Sequence, residues 1–135
     1  MIQRVQSIWL LLAAIVMAGV FYFPIYKYPE SLPLTIGNNY IAIVLTALSI
    51  ILSLVAIFSF RKRKNQKKLV WLDILCCVVL LVWLYYSETS APAVNSGGYF
   101  WIGAFLPLAC IVLLLMSLRG IQKDEKLIKS MDRLR

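Results

Sequence analysis

Four apolar runs constrain this chain more than any other feature. They cover about residues 7–26, 40–60, 69–86 and 99–118, and each holds 18 to 21 residues. At 1.5 Å per residue, roughly 20 helical residues cross a hydrocarbon core of ~30 Å. Strands fit poorly, because the runs are too long and lack alternation. Lipid has no water to satisfy backbone polar groups, so only helices or closed barrels span it. The expectation is an all-α integral membrane protein with four transmembrane helices in an up-down bundle. Composition agrees: 61% of residues are hydrophobic, against about 45–50% in soluble domains.

The connections suit that layout. Residues 27–39, KYPESLPLTIGNN, carry the breakers Pro29, Pro33 and Gly37; residues 61–68 read RKRKNQKK, a basic turn; residues 87–98 read SETSAPAVNSGG. Trp9, Tyr22, Tyr26, Trp83, Tyr99 and Trp101 sit near run ends, where aromatic side chains anchor at membrane interfaces. The first run exceeds the ~7–15 residue core of a secretory signal, so a retained first helix is expected.

Charge supplies orientation. Thirteen of the fourteen Lys and Arg residues precede the first run, separate the second from the third, or follow the fourth; only Lys27 lies on the other side. The positive-inside rule places both termini in the cytoplasm. The basic turn resembles a nucleic-acid patch when read alone, but between two membrane helices its default role is topogenic, with added attraction to anionic lipid headgroups. Nucleic acid is therefore not the expected partner.

Residues 1–118 are expected to form the membrane domain, and 119–135 a cytoplasmic amphipathic tail. In that tail Ile121, Leu127, Ile128, Met131 and Leu134 share a helical face, with Lys126, Lys129 and Arg133 opposite. Gly120 offers a joint before it. The tail reads either as an interfacial anchor or as a docking element. Its acids Asp124, Glu125 and Asp132 have little use in a pure lipid anchor.

Inside the runs, Ala42, Thr46, Ser49, Ser53 and Ala56 form a stripe of small residues on the second helix, and Gly103, Pro107 and Cys110 a shorter one on the fourth. Small residues let membrane helices approach closely, and hydroxyls bond across the contact. Pro107 is expected to kink its helix. Cys76, Cys77 and Cys110 lie in apolar surroundings and read as packing residues. Asp73 is the one acid inside a run. It reads as a rim group paired with a nearby Lys or Arg, or as a proton or cation coupling site. Histidine is absent, and the sequence holds no glycine-rich phosphate loop and no metal-ligand cluster. No catalytic role, cofactor or metal is expected.

The two ends carry a specific pattern. MIQRVQSIWLLLAAI and RGIQKDEKLIKSMDRLR resemble the bacterial membrane family called domain of unknown function 4293, through Ile2, Gln3, Arg4, Gln6 and Ser7 at the start and Arg119, Gly120, Ile121, Lys123, Asp124 and Glu125 onward to Asp132 and Arg133 at the close. The resemblance implies an uncleaved inner-membrane protein whose termini are its signature, and it brings no activity with it. With both termini on one side, Gln3, Arg4 and Gln6 are expected to meet Asp124, Glu125 or Asp132, with Arg4 and a tail acid the leading pair. Arg119, Lys123 and Arg133 complete the candidate docking set. The expected function is a non-enzymatic accessory or scaffold subunit of a membrane complex, binding a membrane-protein partner or its own copies; the alternative is a small oligomeric transporter or channel using Asp73.

Overall fold

The computed structural model describes residues 2–29, 32–59, 62–89 and 97–132, without the side chains of 2–5, 38, 88 and 132. In chain order the elements are α1 (Ile2–Gly19), β1 (Tyr26–Lys27), a single 3-10 turn (Ile36–Asn38), α2 (Tyr40–Phe58), α3 (Arg63–Thr89), β2 (Tyr99–Phe100) and α4 (Ile102–Asp132). Among the described residues the protein is all-α but for the short β1–β2 pair. Each helix packs on two others: α1 on α2 and α4, and α3 on the same two. Among the described residues three helices are long and apolar enough to cross a membrane, namely α2, α3 and α4; the apolar part of α1, Gln6–Gly19, is shorter.

The first run does not stay helical to Tyr26. Beyond Gly19 the chain tightens into turns, with Tyr22 and Phe23 both donating to the Gly19 carbonyl at 2.9 and 3.0 Å. Pro24 then forbids continuation, since it lacks an N–H and disfavours helical backbone in the residue before it. The released segment becomes an end cap. Tyr26 and Lys27 pair antiparallel with Phe100 and Tyr99. Ile25 and Ile36 are buried, as are Tyr26 and Tyr28, whose rings meet at 4.9 Å.

Gly103 makes this cap compatible with α4. Its N–H donates to the Pro24 carbonyl at 3.0 Å, and a Cβ there would fall 2.7 Å from the Phe23 carbonyl oxygen. The small residue lets two backbones touch. Asn39 links the same end sideways: its side-chain oxygen caps α2 through Ala42 N–H at 3.4 Å and accepts from Trp83 Nε1 at 3.1 Å.

At the opposite end two boundaries move. The basic stretch is not a turn throughout, because α3 begins at Arg63 and runs through Lys64, Lys67 and Lys68. The tail is not a separate segment either. Helix α4 continues without a break through Pro107 and Gly120 to Asp132. Gly120 serves close approach rather than bending: a Cβ there would meet Gln6 Cγ at 2.9 Å. Contact with α1 offsets the roughly 1 kcal/mol that glycine costs within a helix.

The core is narrow. Leu10, Met17, Val70, Leu80, Leu114 and Ile121 fill it, while Ile15, Ile51, Leu75 and Val112 are more than half exposed. A water-soluble monomer rarely exposes apolar surface on every long helix. These outward faces suit lipid.

Candidate functional site

The stripe on α2 is the floor of a buried polar cluster. Ala42, Thr46, Ser49 and Ser53 are fully buried, and Ala56 nearly so. The repeat of one small residue per turn puts all five on one buried face of α2, from which Ser49 and Ser53 meet α3. Thr46 turns back, donating to the Ala42 carbonyl of its own helix at 2.7 Å. Ser49 and Ser53 reach across. Each donates to one carboxylate oxygen of Asp73 on α3.

Asp73 is therefore not a rim group with a basic partner. Only 1% of it is exposed, and Ser49 lies halfway along α2. Two neutral hydroxyls satisfy it. Lys68 lies five residues earlier, and the helix turns it well away from the face carrying Asp73, toward the exposed side.

The cysteines extend the cluster to all four helices. Cys77 lies one turn beyond Asp73, with its sulfur 3.5 Å from the Ser49 hydroxyl and 3.9 Å from Cys110 Sγ on α4. Cys110 Sγ lies 3.7 Å from the Ala13 carbonyl of α1. They pack, and they also continue a polar line from α2 to α1. Pro107 is buried one turn before Cys110.

A second set of contacts fastens the far end. Gln6 Nε2 donates to Asp124 Oδ2 at 2.6 Å, and both residues are buried. This bond joins the first turns of α1 to the last turns of α4. The neighbouring acid Glu125 faces α3, where Lys67 Nζ approaches it at 2.7 Å; Lys129 stands at 3.9 Å. The Lys67 ammonium holds the Glu125 carboxyl below the usual carboxylate range, first by its hydrogen bond and then by its charge. The continuing stripe Ser117, Leu118, Ile121 and Asp124 is buried, whereas Leu127, Ile128 and Met131 are exposed. Of the described part of the tail's greasy face, the protein itself covers only the start.

The candidate docking residues thus divide. Gln6, Asp124 and Glu125 are brought into contacts within the chain. Arg119 and Lys123 are exposed. The side chains of Gln3, Arg4 and Asp132, and all of Arg133, lie outside the described residues, so the Arg4 pairing does too. Lys67 and Asn39 escaped the sequence reading. Asn39 carried a usable signal, a capping residue directly before an apolar run. Lys67 carried none, being one of several equivalent lysines. Among the described residues no three His, Cys, Asp or Glu side chains gather as a metal site.

This geometry fastens helices. Both oxygens of the buried acid are occupied by donors from one neighbouring helix, and the two acids at the far end each bind a different helix. The model of a family described as Domain of unknown function (DUF4293) matches residues 2–134, nearly the whole chain. No curated protein and no solved structure matches it.

Proposed function

The chain belongs to that family, and from this premise we propose an integral inner-membrane protein with four spans in an up-down bundle, acting as a non-enzymatic accessory or scaffold subunit. Helix α1 joins the other three as a span. Its apolar part, Gln6–Gly19, covers about 21 Å at 1.5 Å per residue, and the turns to Phe23 extend it. Local thinning accommodates a short span at modest cost. The charge distribution orients both termini to the cytoplasm, so the Gln6–Asp124 end is the inner one.

One observation carries the scaffold reading. The buried polar bonds are spent within the chain, joining α2 to α3 and α1 to α4, while apolar surface faces outward on each helix. A rigid frame with lipid-compatible or partner-compatible faces is what a packing subunit requires. The tail adds an exposed edge of Leu127, Ile128 and Met131. Purification in mild detergent from native membranes tests it. A stoichiometric partner that is lost on Leu127→Glu with Met131→Glu, at unchanged Tm, supports docking through the tail. Recovery of the protein alone, in both forms, overturns it.

The second reading is a small oligomeric transporter or channel. It is favoured by Asp73, a membrane acid surrounded by Ser49, Ser53 and Cys77 that connects by polar contacts to all four helices. Intramembrane acids commonly mark proton or ion routes. Asp73→Asn separates the two: a transporter loses proton-coupled flux in reconstituted vesicles, and a scaffold retains its complex.

A further inference from the structure

Helix α3 changes character along a single face. Lys64, Lys67 and Lys68 stand at spacings of three and four residues, and Trp71, Leu72 and Leu75 continue the same face over the next two turns. Together they line one open groove of about 630 Å³. Lys64 and Lys68 are exposed, and so are Trp71 at 56% and Leu75 at 63%. We propose that this groove is a binding site for an anionic phospholipid, with the headgroup phosphate among the three ammonium groups and an acyl chain along Trp71, Leu72 and Leu75.

Charge complementarity selects the occupant. Three lysines line one face where, among the described residues, the only acid in contact is Glu125, already engaged by Lys67. That contact also holds Lys67 in place, so less of its freedom is lost when a phosphate arrives. The adjoining groove of Lys67, Gln122, Glu125, Lys126 and Lys129 is equally basic but has the carboxylate in its wall, and no apolar side chain lines it. It offers an anion less and an acyl chain nothing. On α3 the order is cation, then indole, then leucine, which is the order of a phospholipid from phosphate to tail. Tryptophan favours that boundary, because its amphipathic ring sits at headgroup level.

This site rests on the reading of α3 as a span, and the test keeps the two apart. Trp71 fluorescence is taken as the difference between the full chain and its Trp71→Phe variant in phosphatidylcholine vesicles. A minor fraction of the lipid carries brominated acyl chains, either as phosphatidylglycerol or as phosphatidylcholine. Brominated phosphatidylglycerol is expected to quench Trp71 with a roughly tenfold preference. The preference disappears in Lys64→Gln/Lys68→Gln and persists in Lys126→Gln/Lys129→Gln, which removes equal charge. Equal quenching by both lipids overturns the headgroup site and leaves the span intact. Equal loss in both charge variants also overturns it, making the effect one of overall surface charge. Absence of quenching by either lipid, in protein that alkaline extraction leaves in the membrane, places a second copy or another protein on this face and overturns it. Release by alkaline extraction defeats the span itself.

Discussion

Asp73 and Glu125 are both acids that join α3 to a neighbour, yet they are satisfied in opposite ways. Asp73 is buried and held by two neutral hydroxyls of α2, with no basic residue in contact among the described residues. Glu125 lies at the wet end, with about 30% of its side chain exposed, and is held by the Lys67 ammonium. Depth explains the difference. A lysine drawn to Asp73 would itself lose hydration, and its attraction would have to repay two desolvations. A serine adds no charge and needs little room between closely packed helices. Near the surface water screens both charges, and a flexible lysine reaches across at little cost.

That contrast is sharpest when donors are removed. Ser49→Ala/Ser53→Ala leaves the enclosed Asp73 carboxyl with only the weak Cys77 thiol contact at 4.0 Å, and should cost about 3 kcal/mol in detergent unfolding measurements, the scale of a buried acid stripped of its donors. Adding Asp73→Leu to that pair should recover most of the loss, because the orphaned group is then gone. A triple variant as unstable as the double would mean that the cost lies in packing, not in the acid.

Gln6→Ala tests the intermediate case. It strips Asp124 of its amide donor, and about 1–2 kcal/mol should be lost. Trypsin should then cut sooner at Lys123, Lys126 and Lys129, since the bond to α1 is one of the two that steady the end of α4. Unaltered cleavage would show that buried Ile121 and Leu118, with the Lys67–Glu125 contact, hold this end without that bond.

The smallest effect belongs to Lys67 and Glu125. Glu125 is held below its usual range, so it contributes stability above the ordinary glutamate range and loses it as pH falls through the folded value. Acidification should weaken the α3–α4 end, high salt should do the same at neutral pH, and Glu125→Gln should abolish the acid dependence. A dependence that survives Glu125→Gln belongs to Asp124 or to another acid.

Gly103→Ala probes a different part of the frame. Its new Cβ has only backbone to displace, so about 1–3 kcal/mol should be lost on thermal unfolding. Gly120→Ala meets the Gln6 side chain rather than backbone, and should cost less than Gly103→Ala, by displacing Gln6 from its bond to Asp124.

Much of this was legible from residue order. The apolar runs located the helices, and the α2 stripe located the face on which Asp73 is held. The end of α1 was misjudged because Phe21, Tyr22 and Phe23 are as apolar as a helix face; the decisive residue was Pro24. The tail was separated from α4 at Gly120 because glycine has one letter for two uses, bending and close contact, and only Gln6 against it decides which.

By itself, then, the sequence determined the class: residues of like polarity cluster at lengths set by helix rise, and that pattern is local. Which acid meets which donor was decided by tertiary structure alone. Asp73 lies 24 and 20 positions from its serines, and Gln6 lies 118 positions from Asp124. Those partnerships depend on how four helices rotate about their axes, and that rotation is set by the summed packing of every face rather than by any one stretch of chain.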